Sequence, residues 1–255
     1  MTKDKGPRVI ITAGASGIGL AIARRFASRG ARVSICDIDE SAIKKVSGEF
    51  TLAQDCDVTD ARTMGGFVDR AVEAMDGLDT LIANAGSAGP TAYLEDIDPA
   101  DWERTVAVNL TGQFCLLRAA IPYLKRQEQG TIILMSSAAG RLGLPMRSPY
   151  AAAKWGVIGL KETLAMELGP YGVSVNAILP GAVEGERIDK VLNAKANAAG
   201  ITLADARRAE VENVSMKRMI VPDEIADLAW FLAAPSAQSI SGQSIGICGN
   251  FETLR

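Results

Sequence analysis

The 255-residue chain contains no histidine. That absence removes Ser-His-Asp and Cys-His nucleophilic mechanisms, HExxH metal sites and every histidine general base. Proton transfer, if there is any, must fall to Lys, Tyr, Asp or Glu. Cysteine is scarce too: Cys36, Cys56, Cys115 and Cys248 are scattered, with no CxxC pair. This argues against a disulfide frame or metal site and for reduced thiols packed as small hydrophobes in a cytoplasmic protein. No apolar run reaches membrane-spanning length. The polar opening MTKDKGPR runs into RVIIT without the apolar core of a secretory leader. Basic charge is not in excess, and a net charge of -3 offers no general attraction to nucleic acid or anionic membranes.

What remains is an ordinary globular composition, 48% hydrophobic and 22% charged, long enough for one large core. Strands are expected over 8–13, 32–37, 78–86, 130–137, 173–181 and 241–248, with a weaker one within 50–58. Helical spacing of apolar residues fills 19–30, 60–75, 98–127, 150–168 and 222–233. This alternation predicts a single α/β domain over 1–255, a doubly wound Rossmann-type parallel sheet covered on both faces. No repeat or linker interrupts it. The stretch 182–220 is charged, Ala-rich and helical in pattern, and an insertion of that size after a strand is expected to act as a lid or substrate loop.

Ligands of such sheets bind beyond the carboxyl ends of the strands. The first strand ends in TAGASGIG, where Gly14, Ser16, Gly17, Ile18 and Gly19 lead into a helix. Missing side chains there let backbone amides and the helix N-terminus approach a pyrophosphate. The second strand ends in Asp37, twenty positions after Gly17. A carboxylate at that spacing is expected to hydrogen-bond the ribose hydroxyls of NAD and to repel the 2'-phosphate of NADP. The glycine turn itself offers no Lys or Arg to meet such a phosphate, and Arg29 and Arg32 belong to a helix end and a strand start.

The segment SPYAAAKWG sets Tyr150 and Lys154 four residues apart, on one face of a helix that Ser148 would cap and Pro149 would open. A phenol titrates at about 10, too high for a base at neutral pH. A nearby ammonium or the positive end of a helix stabilises a phenolate, so the pair can serve as an acid/base. Tyr and Lys at this spacing also occur on ordinary amphipathic helices, and the pair alone does not decide between the two readings.

Together, TAGASGIG at 12–19, Asp57-Val58, Asn84-Ala85-Gly86, Asn109 in VAVNLTGQF, Ser137 closing IILMSS, YAAAK at 150–154 and Pro180-Gly181 resemble the short-chain dehydrogenase/reductase family from about residue 8 to 249. The resemblance implies a Rossmann-type sheet binding NAD(P) and a catalytic set of Asn109, Ser137, Tyr150 and Lys154. Tyr150 would exchange a proton with the substrate oxygen, and Ser137 would hydrogen-bond that oxygen. Lys154 would favour the phenolate and hold the nicotinamide ribose, while Asn109 would anchor a water linking Lys154 to solvent. Asp57 and Val58 would border the adenine; Asn84, Ala85, Gly86, Pro180, Gly181 and Val183 would line the cofactor pocket. No metal is needed for direct hydride transfer. The resemblance also implies homodimers or homotetramers.

The chain departs from the family's pattern at three places. Ala13 stands where the turn usually has glycine, although alanine tolerates positive φ poorly. Gly185 stands where a threonine usually holds the carboxamide, and the last strand closes Cys248-Gly249-Asn250 rather than Asp-Gly-Gly. The expected activity is NAD-dependent interconversion of a secondary alcohol and a ketone, on a small polar alcohol, polyol or sugar acid. An NADPH-dependent 3-oxoacyl thioester reductase is the alternative enzyme, and a non-catalytic NAD-binding sensor or scaffold the alternative of another class. Candidate substrate contacts are Tyr93, Ala138, Arg141, Met146, Arg147 and the segment from Glu184 onward, with Arg141 and Arg187 available to an anionic group or to solvent.

Overall fold

Seven short aliphatic runs form β1 (Arg8–Thr12), β2 (Arg32–Asp37), β3 (Leu52–Asp55), β4 (Thr80–Ala83), β5 (Gly130–Met135), β6 (Val173–Pro180) and β7 (Ser244–Ile247) in a computed structural model that describes residues 6–251. The outermost residues of the 1–255 domain expectation lie outside the described residues. All neighbouring strands pair in parallel, in the order β3-β2-β1-β4-β5-β6-β7. Parallel neighbours cannot be joined by tight turns, so helices cross over both faces. These are α1 (Gly17–Ser28), α2 (Glu40–Val46), α3 (Ala61–Met75), α4 (Pro99–Val106), α5 (Gly112–Gln127), α6 (Ser148–Leu168), α7 (Glu186–Ala199), α8 (Leu203–Glu212) and α9 (Pro222–Ala233). The doubly wound Rossmann-type sheet is therefore present.

Strand periodicity separates two cores. Ile10, Leu81, Ile132 and Val175 meet α3, α5 and α6 through Phe67, Leu116 and Val157. Val9, Ile11, Ile82, Ile133 and Ile178 meet α1 and α9 through Ile22, Phe26, Ile225 and Leu232. Most strand residues facing the two cores are apolar, with Ser34, Thr80, Thr131, Ser174 and Asn176 among the buried polar exceptions, so the strands read as largely hydrophobic runs rather than alternating ones.

Several elements differ from the sequence expectation. The strand expected over 78–86 pairs only across Thr80–Ala83, and the one expected over 241–248 only across Ser244–Ile247. The helix expected over 98–127 is broken: α4 passes into a π-helical turn at Ala107–Thr111 before α5 begins. Helix α2 has seven residues, too few for apolar periodicity to reveal, but Asp39 caps it by accepting from the Ser41 and Ala42 amides at 2.9 and 3.0 Å. Finally, Arg147 rather than Ser148 is the N-cap of α6. The Ala151 amide already bonds the Arg147 carbonyl at 2.9 Å, which draws Ser148 into the first turn with its hydroxyl buried and unpartnered.

The stretch 182–220 forms α7 and α8, which share a small core of Leu192, Ala196, Ala206 and Met219. Lys195 on α7 and Glu210 on α8 join them at 2.6 Å. The chain runs from β1 toward β3 on one side and from β4 toward β7 on the other. The crevice of the fold therefore opens at the carboxyl ends of β1 and β4.

Candidate active site

The turn after β1 is built around close backbone approach. A Cβ on Gly14 would lie 2.7 Å from the Ile35 side chain, and one on Gly19 would overlap the Ala13 carbonyl and stand 2.7 Å from Asn84 Nδ2. Gly17 takes φ +50°, and Ala13, the departure noted above, takes φ 50° as well. The alanine is held in the left-handed region at a cost of about 1 kcal/mol. Ser16 is the N-cap of α1 but makes no side-chain cap, which leaves the first-turn amides of α1 without a side-chain acceptor. Gly19→Ala must push the turn away from Asn84. We expect NADH affinity to fall at least about tenfold, read by fluorescence titration, because a pyrophosphate held at this turn would depend on that approach.

Asn84 ties this turn to the end of β4. Its Nδ2 donates to the Thr12 and Ala13 carbonyls at 3.0 and 3.2 Å, while Thr12 Oγ1 accepts from the Asn84 and Ala85 amides at 3.1 and 3.0 Å. Thr12 opens the TAGASGIG motif, but sequence alone assigns its side chain no role; its hydroxyl becomes an acceptor only when β4 lies beside β1. Asp37 closes β2, 8% exposed, and accepts the Ala15 amide at 3.1 Å and the Asp39 amide at 3.2 Å. The carboxylate thus sits against the glycine turn. Arg32 lies at the other end of β2, and the Arg29 guanidinium stacks 5.1 Å from the Trp230 ring.

The other expected cofactor residues lie on the same carboxyl edge. Asp57 is exposed and turned locally, Oδ1 accepting from the Thr59 amide and hydroxyl at 2.9 and 2.8 Å. Val58 is buried, and a Cβ on Gly112 would come within 2.7 Å of it. Ile18 packs partly buried against the core below α1. Pro180 ends β6 opposite Ile247, the Gly181 amide bonds the Ile247 carbonyl at 3.1 Å, and Val183 bridges to Ile220. Gly185 takes φ +136°, a backbone that glycine accepts and the family's threonine would not.

Ser137, Tyr150, Lys154 and Asn109 come from three different elements. Ser137 follows β5, its hydroxyl accepting the Ala139 amide at 3.2 Å. Lys154 is 3% exposed, and its Nζ donates to the Met135 carbonyl at 2.9 Å, an acceptor shared with Gln113 Nε2 at 3.1 Å. Its Nζ lies 5.7 Å from the Tyr150 ring centroid. Asn109 sits in the π-helical turn, fully buried, with Nδ2 donating to the Thr105 carbonyl at 2.9 Å and to Ser87 O and Oγ at 3.1 and 3.2 Å. Its Oδ1 is buried with no partner. A Cβ built on Gly86 would stand 2.8 Å from that Oδ1, 3.3 Å from Lys154 Nζ and 3.7 Å from Arg187 Nη2. Glycine at 86 is what allows these groups to gather. Burial lowers the Lys154 ammonium from its ordinary range to about 7, and the Arg187 charge adds to the effect.

Of the expected substrate contacts, Arg141 is turned away: Nη2 donates to the Ser244 carbonyl at 2.7 Å, at the edge of β7. Tyr93 is 60% exposed. Arg147 is buried, and its guanidinium carbon lies 5.1 Å from the Tyr150 ring centroid. Among the described residues no cluster of His, Cys, Asp or Glu could hold a metal ion, and no helix is long and apolar enough to cross a membrane.

A glycine-rich turn after β1 and a Tyr-Lys pair on α6 lie at the carboxyl edge of this parallel sheet. Residues 7–197 match the family described as short chain dehydrogenase, and the chain belongs to that family of oxidoreductases. It is similar to the trans-4-hydroxycyclohexanecarboxylate dehydrogenase of Sinomonas cyclohexanicum, 36% identical over 252 residues that cover 94% of this chain and 90% of the relative. Among solved structures, a variant of actinorhodin polyketide ketoreductase with NADPH superposes with a TM-score of 0.94 at 27% identity, covering 100% of both chains. An NAD+-bound xylitol dehydrogenase superposes with a TM-score of 0.92 at 28% identity, covering 97% of this chain and 100% of that one.

Proposed function

We propose that the protein is an NAD-dependent dehydrogenase that interconverts a small polar secondary alcohol and its ketone. The observation that carries this reading is the gathering of Asn109 and Lys154 around Gly86, with the Tyr150 ring beside Lys154, at the sheet edge where the glycine turn also lies. That turn fits a dinucleotide: Cβ atoms at Gly14 and Gly19 would collide with Ile35, Ala13 and Asn84, so only glycine lets the backbone close this tightly, and the first-turn amides of α1 have no side-chain cap. The α1 N-terminus would hold the pyrophosphate, Asp37 the adenosine ribose, and Lys154 the nicotinamide ribose. When bound, the nicotinamide supplies the hydride acceptor.

The residues of the chain bind, orient and move a proton. Ser137 Oγ and Tyr150 Oη hold the substrate hydroxyl, and Tyr150 takes its proton as the carbonyl forms. Lys154, beside the Tyr150 ring, supplies the positive charge that makes this transfer feasible. The buried Asn109 Oδ1 faces Lys154 across Gly86 and offers an acceptor on the path by which the proton leaves.

Asp37 supports NAD over NADP, since a second negative charge at the ribose would face an aspartate already seated by the Ala15 and Asp39 amides. Asp37→Ala is expected to shrink the NAD/NADP ratio of kcat/KM at least about tenfold. An unchanged ratio would remove the assignment, and wild-type preference for NADPH with oxoacyl thioesters would favour the ketoreductase reading instead. The assay is NADH formation across sugar alcohols, hydroxy acids and other secondary alcohols. The reading includes a cytoplasmic homodimer or homotetramer, supported by the exposed Phe114, Trp155 and Met166 of α5 and α6, at 50%, 52% and 81%.

A further inference from the structure

Building on the alcohol dehydrogenase reading, we infer that Arg147 is a specificity-determining residue whose buried guanidinium receives a carboxylate carried by the substrate, next to the Tyr150 phenol that handles the reacting oxygen. Arg147 is 5% exposed. Its side chain makes one hydrogen bond among the described residues, from Nη2 to the Ala88 carbonyl, and its Nε is buried with no partner. No carboxylate among the described residues lies within ion-pair distance of it. A buried cation in that position is unfavourable unless something anionic completes it. The Tyr150 ring, 5.1 Å away, is a weaker partner than a carboxylate.

The surrounding charges point the same way. Burial lowers the Arg147 guanidinium from its ordinary range, Tyr150 opposes this, Arg187 adds to it, and Glu210 opposes it. Glu210 is already engaged by Lys195 at 2.6 Å, and Arg187 has no carboxylate within ion-pair distance among the described residues. Arg147, Lys154 and Arg187 therefore form a positive cluster with no free internal counter-ion. Tying the loop before α6 to the loop after β4 does not require the charge, because the Ala92 amide already bonds the Met146 carbonyl at 3.0 Å. The cofactor's phosphates belong at the glycine turn after β1, so the anion next to Tyr150 is the substrate's own. A guanidinium fork matches a carboxylate in two parallel hydrogen bonds, which would also fix which carbinol carbon faces the phenol.

The test pairs straight-chain 3- and 4-hydroxy carboxylates with the neutral primary amides of the same skeletons, following NADH formation by the wild-type protein, Arg147→Gln and Arg147→Lys. Wild type should prefer the acids by at least about tenfold in kcat/KM, mainly through KM. The preference should fall to about threefold or less in Arg147→Gln and be partly kept in Arg147→Lys. A ratio taken within one variant cancels differences in folded fraction. Calorimetric titration of butanoate and butanamide into the NADH-saturated protein reads the same preference without turnover. Equal use of acid and amide by wild type, or a preference that survives Arg147→Gln, would overturn the assignment. If neutral secondary alcohols are oxidised and acids are not preferred, only this inference falls. If no alcohol is oxidised at all, the dehydrogenase reading falls with it.

Discussion

Tyr150→Phe is expected to lower kcat for alcohol oxidation roughly 100- to 10,000-fold, the range typical of removing a positioned acid/base. The substitution keeps the ring, so the Arg147 and Lys154 contacts to its centroid at 5.1 and 5.7 Å can persist. Only the atom that exchanges the proton is lost. NADH affinity, read by fluorescence titration, should therefore change less than about threefold, and the loss should lie in kcat with KM little altered. A variant that retains a tenth or more of the wild-type rate would show that another group moves the proton. Loss of cofactor binding in parallel with rate would instead assign Tyr150 to the cofactor pocket alone.

Lys154→Met should separate catalysis from stability. The ammonium is buried, and its folded-state pKa of about 7 lies below its ordinary 10.5. A base with a depressed folded pKa binds fewer protons folded than unfolded between those two values, so its contribution to stability rises with pH across that window. The penalty is complete below about 7 and vanishes above 10.5. Desolvation causes most of it, Arg187 adds to it, and the Met135 carbonyl offsets part through its 2.9 Å hydrogen bond. Methionine fills the same space without charge. The cofactor-free variant is thus expected to be more stable than wild type by about 1–3 kcal/mol at pH 6 to 7, with the gap closing as pH rises toward 10. Its kcat should nevertheless fall about 100-fold or more. Thermal melts at several pH values read the first effect and steady-state rates the second. A variant less stable at pH 6 than at pH 9, relative to wild type, would contradict the buried-ammonium argument.

Several candidate site residues were legible because their spacing is local. The glycine turn, Asp37 and the Tyr150–Lys154 interval each lie within one strand-turn-helix unit, where chain geometry leaves few choices. Other features were not local. Thr12 becomes a clamp only when Asn84 arrives on the neighbouring strand, and Gly86 matters only because Asn109, Lys154 and Arg187 converge on it from separate elements. Arg141 and Arg147, six positions apart, both stand among the expected substrate contacts, Arg141 being offered, with Arg187, to an anionic group. One is drawn to the Ser244 carbonyl at the sheet edge and the other is buried against Tyr150.

Amino-acid order alone determined that any proton transfer must proceed without histidine, that alternating strands and helices wind into a parallel sheet, and that a glycine-rich turn follows the first strand. Those outcomes depend on residue chemistry and short-range backbone periodicity. Tertiary structure decided where the long helical pattern breaks, how Ala13 is held at positive φ, and which arginine loses contact with solvent. Burial and charge proximity are sums over residues distant in the chain, and they acquire values only once the sheet has brought those residues together.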